Sequence, residues 1–171
     1  LIRRAATLAA VLVAAAMAQP ALAAKTVLNV GMAAIDAGRL DPHLSATTPD
    51  KALFNWMFNG LVRMKQGTMN PDAALIEGDL AESWETSADG QTVTFKLHRN
   101  AKWHDGKPVT PQDVVFSWQL LRDKGRPNFR TYYTKVAKAE AVDPLTVRFD
   151  FGGANDRELP LILGLMVFTR A

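Results

Sequence analysis

Hydrophobic and polar residues alternate most regularly between positions 92 and 97. The apolar members of this run are Val93, Phe95 and Leu97. A period of two places neighbouring side chains on opposite faces, so the run predicts a half-buried antiparallel strand. Another strand is predicted over residues 80–85, around Trp84. Because Asp89-Gly90 is a typical turn sequence, we expect these two strands to form a hairpin.

A second hairpin is predicted further along the chain. Residues 136–142 and 145–151 flank Asp143-Pro144, a pair typical of turns, and the second of these segments is apolar at alternate positions. Nearer the start, residues 25–34 and 61–65 are also predicted as strands. Strands therefore account for most of the expected regular structure.

Two segments carry helix signals. Thr110-Pro111 followed by Asp113 is typical of a helix start, because threonine caps free backbone N–H groups and proline suits the first turn. The apolar residues that follow at helical spacing are Val114, Val115, Trp118 and Leu121. Gly125 ends this pattern. An earlier helix is predicted to begin at Thr48-Pro49 and to end near Asn59-Gly60, with glycine as a left-handed cap. Together these elements predict the α+β class, with a mixed sheet and flanking helices.

The first 23 residues have the three parts of a secretory signal peptide. Arg3 and Arg4 supply the positive start, residues 5–18 are apolar, and Ala21-Leu22-Ala23 is a small-x-small cleavage site. A membrane anchor is the alternative, but the apolar stretch is shorter than the ~20 residues that a spanning helix needs. We therefore expect export, with cleavage after residue 23 and residues 24–171 as the folded part.

Removal of the signal peptide changes the charge balance. The whole chain carries 20 Lys+Arg and 17 Asp+Glu. Two arginines leave with the signal, so the mature balance is 18 against 17, a net charge of +1. Because no long basic run remains, nucleic-acid binding has little support.

Residues that could perform catalysis or bind a metal are few and scattered. The chain has no cysteine, and His43, His98 and His104 lack the spacing of a metal motif. His43 and His104 are instead predicted in loops or turns. No serine stands in a nucleophile motif, and Ser117 is predicted to be a small packing residue. We therefore predict no catalytic residue, no metal site and no cofactor, and we do not expect an enzyme.

Aromatic residues are the remaining candidates for binding. Trp84, Phe95 and Trp118 fall on predicted inward faces and are assigned to the core. Tyr132 and Tyr133 follow the Arg126-Pro127 break and are predicted in a loop. This position makes the two tyrosines the better candidates for ligand contact.

The order of several short motifs along the chain is more specific than any one of them. They are Leu40-Asp41-Pro42-His43, Phe58-Asn59-Gly60-Leu61-Val62, Asp79-Leu80-Ala81-Glu82-Ser83-Trp84-Glu85, the segment from Asp89-Gly90 to Arg99, and the segment from Ala101-Lys102-Trp103 to Phe116-Ser117-Trp118. In this order and spacing they resemble the family 5 solute-binding proteins of peptide and nickel ABC importers. The resemblance covers nearly all of residues 27–151, and residues 157–164 resemble the oligopeptide and microcin-type subgroup.

The resemblance implies a bilobal periplasmic fold that closes over its ligand by a hinge motion. It implies a monomeric binding protein that captures oligopeptide-like ligands and delivers them to the membrane permease subunits of an ABC importer. By analogy with the family, the ligand is expected to reach Ala33, Ala34 and Ile35, at the end of the first strand, and the Tyr132-Tyr133 loop.

Members of this family usually run to several hundred residues, whereas this sequence has 171. Residues 24–171 are therefore expected to be an incomplete N-terminal part of the solute-binding domain, through truncation or a frameshift. The apolar stretch 159–168 is expected to lack partners, which would make the isolated polypeptide poorly soluble and unable to bind tightly. Two other hypotheses stay open: a non-functional remnant of such a gene, and a secreted hydrolase domain.

Overall fold

The computed structural model describes residues 30–31, 40–45, 47–65, 67, 75–153 and 165–170. The chain divides into two compact units, Leu1–Met32 and Ala33–Ala171. Only residues 30–31 of the first unit are described, so the predicted signal peptide and most of the strand predicted over 25–34 lie outside the described residues.

The described elements are three helices and six strands. In chain order they are α1 (Thr48–Met57), β1 (Val62–Met64), β2 (Ile76–Gly78), β3 (Ala81–Thr86), β4 (Thr92–Leu97), α2 (Pro111–Lys124), α3 (Pro127–Tyr133), β5 (Val136–Asp143) and β6 (Thr146–Phe151). Their combination confirms the predicted α+β class. All described strand pairs are antiparallel.

Four of the strands form one sheet in the order β3-β4-β6-β5, and β1 pairs separately with β2. Both predicted hairpins are present, because β3 pairs with β4 and β5 pairs with β6. The turn between β3 and β4 is closed by the Asp89 side chain, which accepts hydrogen bonds from Ser87 Oγ at 2.5 Å and from Gln91 N at 3.0 Å. Gly90 has φ of 70°, a conformation that glycine adopts without strain.

The core lies between this sheet and helix α2, which packs on β5 and β6. The predicted alternation is confirmed, since Val93, Phe95 and Leu97 are all buried. Phe95 meets Phe149 edge-on, with ring centroids 6.0 Å apart, and it stacks on Trp84 at 6.3 Å. The alternating strands and the helix thus bury one shared apolar layer.

Helix α2 begins as predicted. Thr110 is the N-cap, and a capping box forms because its side chain accepts from Asp113 N while the Asp113 carboxylate accepts from Thr110 N. Val114, Trp118 and Leu121 are buried on its inner face, while Val115 is only partly buried. Each capping interaction of this kind typically stabilises a helix by about 0.5–2 kcal/mol.

The ends of helix α1 differ from the prediction. The N-cap is Thr47 rather than Thr48, since the Thr47 side chain accepts from Asp50 N, and the helix stops at Met57. Phe58 leaves the helix in extended conformation, so Gly60 does not serve as a left-handed cap. Instead, Gly60 makes a bridge with Met166. This long-range contact holds the chain in extended conformation after Met57, so the helix ends earlier than the sequence predicts.

The expectation that residues 159–168 lack partners is wrong for the described part, 165–168. Leu165 and Val167 are each 2% exposed and belong to the core. The Phe168 ring packs against His43 and Phe58. Residues 159–164 lie outside the described residues.

Candidate ligand-facing surface around helix α3

Several motif residues join distant segments of the backbone. The carboxylate of Asp79 accepts hydrogen bonds from Asn59 Nδ2 at 2.8 Å and from the backbone N–H of Gly60 at 3.0 Å. The same two segments are also linked through their backbones, since Leu80 N donates to the carbonyl oxygen of Gly60 at 2.9 Å. These motif residues therefore hold the start of β1 against the start of β3, which is a structural role.

A second junction holds the segment 165–170 against the rest of the fold. Its hydrogen bonds include four of 3.0 Å or less. These join the Met166 carbonyl oxygen to His43 Nε2 at 3.0 Å, Val167 N to the Asn59 carbonyl oxygen at 3.0 Å, Phe168 N to Ser117 Oγ at 2.7 Å, and Arg170 N to Asp113 Oδ1 at 2.7 Å. Three separate parts of the fold, the loop at His43, the chain before β1 at Asn59 and helix α2, therefore meet on this one segment.

Ser117 does more than the packing predicted for it. It is fully buried, and its Oγ donates to the Asp113 carbonyl oxygen at 2.7 Å while accepting from Phe168 N. The bond to Phe168 has no local signal in the sequence, because the two residues are 51 positions apart. The bond to Asp113, four residues earlier, could be expected, since serine in a helix often bonds back one turn.

His43 lies at the centre of this junction and is 3% exposed. Its Nε2 donates to the Met166 carbonyl oxygen, which leaves Nδ1 as the unprotonated nitrogen, and Nδ1 is buried without a partner among the described residues. Burial lowers the pKa of His43 below its ordinary value of 6.5, although the Met166 carbonyl and the Asp41 carboxylate act in the opposite direction. The ring is therefore held neutral.

We expect the protein to lose stability as the pH falls below the ordinary histidine pKa of 6.5. The unfolded chain then binds a proton that the folded chain excludes, so the free energy of unfolding decreases. Urea unfolding at about pH 7.5 and about pH 5.5 measures this change, in a range above the titration of ordinary carboxylates. His43→Gln should remove most of the difference, whereas His98→Gln, at an exposed turn residue, should keep it. An equal response of the two variants would contradict the assignment to His43.

The structure corrects the placement of the two predicted ligand-contact tyrosines. They lie at the end of helix α3 rather than in a loop. Tyr133 is buried in the core, and burial raises the pKa of its hydroxyl. Tyr132 is 42% exposed. The other three predicted contacts, Ala33, Ala34 and Ile35, lie outside the described residues.

Cationic and aromatic side chains lie together on helix α3 and its flanks, a region that we call the α3 surface. It consists of the exposed Arg130 and Tyr132 and the half-buried Arg126, Phe129 and Lys135. The Arg126 guanidinium carbon lies 4.6 Å from the centre of the Phe129 ring, and Lys135 Nζ lies 5.5 Å from the centre of the Tyr132 ring. Such contacts hold a cation over an aromatic face. A surface of this kind can bind an extended ligand through stacking and through its donors.

The α3 surface adjoins the loop of residues 41–45. Arg126 N donates to the carbonyl oxygen of His43 at 3.3 Å, which fixes the start of the helix to this loop. Leu40, just before this loop, and Leu44, within it, are 59% and 38% exposed. Apolar groups and cations therefore lie close together at this end of the fold.

A separate open groove runs along helix α2, with a volume of about 460 Å³. It is lined by Gln112, Val115, Phe116, Gln119, Ala141 and Arg170. Its amide and apolar groups can contact a ligand, but they include no acid and base pair.

Within the described ranges, no three His, Asp or Glu side chains come together in a way that could hold a metal ion. None of the helices described is both long and apolar enough to cross a membrane.

The sequence of this chain matches a known family of binding proteins. The sequence model of the bacterial extracellular solute-binding proteins, family 5 (middle region), matches residues 76–170. The chain belongs to this family. The match covers β2 to β6 and the anchored segment 165–170, and the two junctions join this region to His43, Asn59 and Gly60, which precede it.

Two relatives in this class are named as peptide-binding proteins. The chain is 47% identical over 92 residues to a probable peptide-binding protein, YejA, of Agrobacterium fabrum, a match that covers 54% of this chain and 15% of YejA. It is 39% identical over 84 residues to the periplasmic oligopeptide-binding protein OppA of Haemophilus influenzae, covering 48% of this chain and 14% of OppA.

Solved structures confirm the fold. The solute-binding protein MoaA of A. tumefaciens R10, in complex with mannopinic acid, superposes with a TM-score of 0.71 at 39% identity, covering 79% of this chain and 28% of MoaA. H. influenzae OppA, in complex with the peptide RPPGFSPFR, gives a TM-score of 0.63 at 27% identity, covering 77% and 28%. This chain thus corresponds to somewhat more than a quarter of those bilobal proteins.

Proposed function

We propose that the chain belongs to the periplasmic substrate-binding component of an ABC importer and serves to capture oligopeptide-like ligands. The observation that carries this proposal is the family match over residues 76–170. The names of YejA and OppA, which specify peptide binding, support the peptide class. The partners would be the membrane permease subunits of the importer, and the protein would act as a monomer in the periplasm.

The chemistry of the described residues favours binding over catalysis. Ser117 Oγ, the most buried hydroxyl named above, has its proton and one lone pair engaged in hydrogen bonds, so it is unsuited to nucleophilic attack. His43 is buried, and the protonated nitrogen of its ring is bound to a backbone carbonyl. This arrangement speaks against the alternative of a secreted hydrolase domain.

For ligand contact we assign the exposed Tyr132 the principal role among the residues described. Its ring is accessible and its orientation is supported by Lys135. Tyr133 would act indirectly, by anchoring the end of α3 in the core. Ala33, Ala34 and Ile35 remain the proposed contacts from the first strand. The ligands of the relatives, a peptide and an acid, both belong to a class that carries carboxylates.

Uptake of a labelled tripeptide by the host organism tests the proposal. Deletion of the gene should reduce uptake, and the wild-type gene should restore it. The non-functional remnant is the alternative reading, and it predicts unchanged uptake after deletion. The protein should also appear in the fluid released by osmotic shock if it resides in the periplasm.

Tyr132→Ala should restore uptake only poorly at low peptide concentration. Loss of one aromatic contact costs about 0.5–1.5 kcal/mol, which weakens affinity about 2- to 10-fold. Trp56→Ala is the matched control, because Trp56 is a 63% exposed aromatic residue on another helix, α1. Equal uptake with the two variants would count against a ligand-contact role for Tyr132.

A further inference from the structure

The segment that forms helix α3 and its flanks has an unusual distribution of charge. Between Asp123 and Glu140 the chain contains no acidic residue and five basic ones, namely Lys124, Arg126, Arg130, Lys135 and Lys138. The rest of residues 24–171 carries 13 Lys+Arg against 17 Asp+Glu and is therefore acidic. The α3 surface therefore lies in a local excess of positive charge, which attracts anions.

The acids that border this segment already have partners. Asp123 pairs with Arg122, with distances of 2.7 and 3.1 Å between nitrogen and oxygen atoms. Glu140 pairs with Lys138 at 2.5 Å and with Arg148. Both acids thus pair with cations other than Arg126 and Arg130, and neither of these two arginines forms an ion pair within the described residues.

Arg126 is the best placed of these cations to bind a ligand. Its guanidinium lies against the Phe129 ring, whose other contacts include Tyr133 of the core, with ring centroids 6.4 Å apart. Its backbone is fixed to the His43 carbonyl oxygen. Its Nε is buried and has no hydrogen-bond acceptor among the described residues. The Arg126 guanidinium is therefore held in position, and its Nε–H lacks a hydrogen-bond acceptor among the described residues.

A planar guanidinium matches the geometry of a carboxylate, since two parallel N–H groups can donate to its two oxygens. A buried donor without an acceptor costs free energy, so an acceptor supplied by a ligand would be bound strongly. We propose that the α3 surface selects ligands that carry a carboxylate, and that Arg126 pairs with this group. This inference rests on the proposed function and narrows its ligand class.

The test compares two forms of one peptide by calorimetry, using the protein purified from its host. The probes are the tripeptide Ala-Tyr-Ala with a free C-terminal carboxylate and the same tripeptide as its C-terminal amide. We expect the free acid to bind wild-type protein about 10- to 100-fold more tightly, as charge-assisted hydrogen bonds of this kind allow. Arg126→Gln should reduce this preference to about threefold or less.

Two variants show whether the effect belongs to Arg126. Arg99→Gln removes one positive charge from the exposed turn after β4 and should keep the full preference. Arg126→Lys keeps the charge without the planar fork and should keep part of it. Thermal melting of each variant shows whether it is folded. If Arg126→Gln does not fold, the peptide preference of Arg126→Lys is compared with that of the wild-type protein instead.

The outcomes separate this inference from the proposed function. Equal binding of both peptides to wild-type protein would overturn the carboxylate preference and leave peptide capture intact. A preference that survives in Arg126→Gln would place the carboxylate elsewhere and would overturn the role of Arg126. Absence of binding by either peptide at millimolar concentration would overturn peptide capture itself, and the inference with it.

Discussion

Phe95→Ala is expected to lower the free energy of unfolding by about 3–5 kcal/mol. Phe95 is 1% exposed at the centre of β4, where its ring lies between Trp84 and Phe149. Alanine would leave a cavity between sheet strands that pair on both sides, so the neighbours could close it only in part. Urea unfolding followed by tryptophan fluorescence measures the loss.

Lys96→Ala provides the control for this prediction. Lys96 follows Phe95 on the same strand but points to the exposed face. Its substitution should change stability by less than about 0.5 kcal/mol. A loss below about 1 kcal/mol for Phe95→Ala would mean that the central residue of the sheet does not lie in the core, against the fold described above.

Asp113→Ala is expected to lower the free energy of unfolding by about 2–4 kcal/mol, the second largest effect. One part is the lost half of the capping box, the bond from Thr110 N, worth about 0.5–1.5 kcal/mol, and the other is the lost bond from Arg170 N to the carboxylate, worth about 1.5–3 kcal/mol. Asp113 is 5% exposed, so water cannot easily replace it. Because its two oxygens serve two different elements, the variant should loosen both.

Hydrogen exchange separates these two effects. In Asp113→Ala, the amide of Arg170 should exchange faster, and the amide of Phe168, which Ser117 holds beside it, should follow. Gln112→Ala, at the exposed neighbouring position on the same helix, should leave both amides unchanged. Unaltered exchange at 168 and 170 in Asp113→Ala would contradict the anchoring role.

Elements that depend on local pattern were predictable from the sequence. Alternation from residues 92 to 97 placed β4, and the cap at Thr110 with the following apolar spacing placed the start and the inner face of α2. The turns at Asp89-Gly90 and Asp143-Pro144 then fixed both hairpins. In each of these cases the element is specified by residues close together in sequence. A local sequence pattern is therefore enough to predict it.

Features that depend on distant contacts were not predictable in this way. His43 and Met166 are 123 residues apart in sequence, and nothing local marks them as partners. The end of helix α1 shifted because Gly60 bridges to the same residue, Met166. Here the tertiary contact overrides the local preference of glycine for a helix cap.

Helix α3 is an intermediate case. Arg126-Pro127 after Gly125 predicts a break that leads into a loop, yet proline also suits the first turn of a new helix. Phe129 and Tyr133, four residues apart, are in ring contact with each other on the inner face. That spacing was the available signal, and it separates the buried Tyr133 from the exposed Tyr132. The charge excess around α3 can be counted from the sequence, but the position of Arg126 over Phe129 cannot.

Hydrogen–deuterium exchange with and without the Ala-Tyr-Ala tripeptide tests most directly whether this fold captures its ligand at the α3 surface. With the peptide at saturation, exchange should slow in residues 126–135 and in the adjoining loop 40–45. It should stay unchanged in the turn at residues 87–91, between β3 and β4. Slower exchange confined to the α2 groove, or no change around α3, would contradict the account.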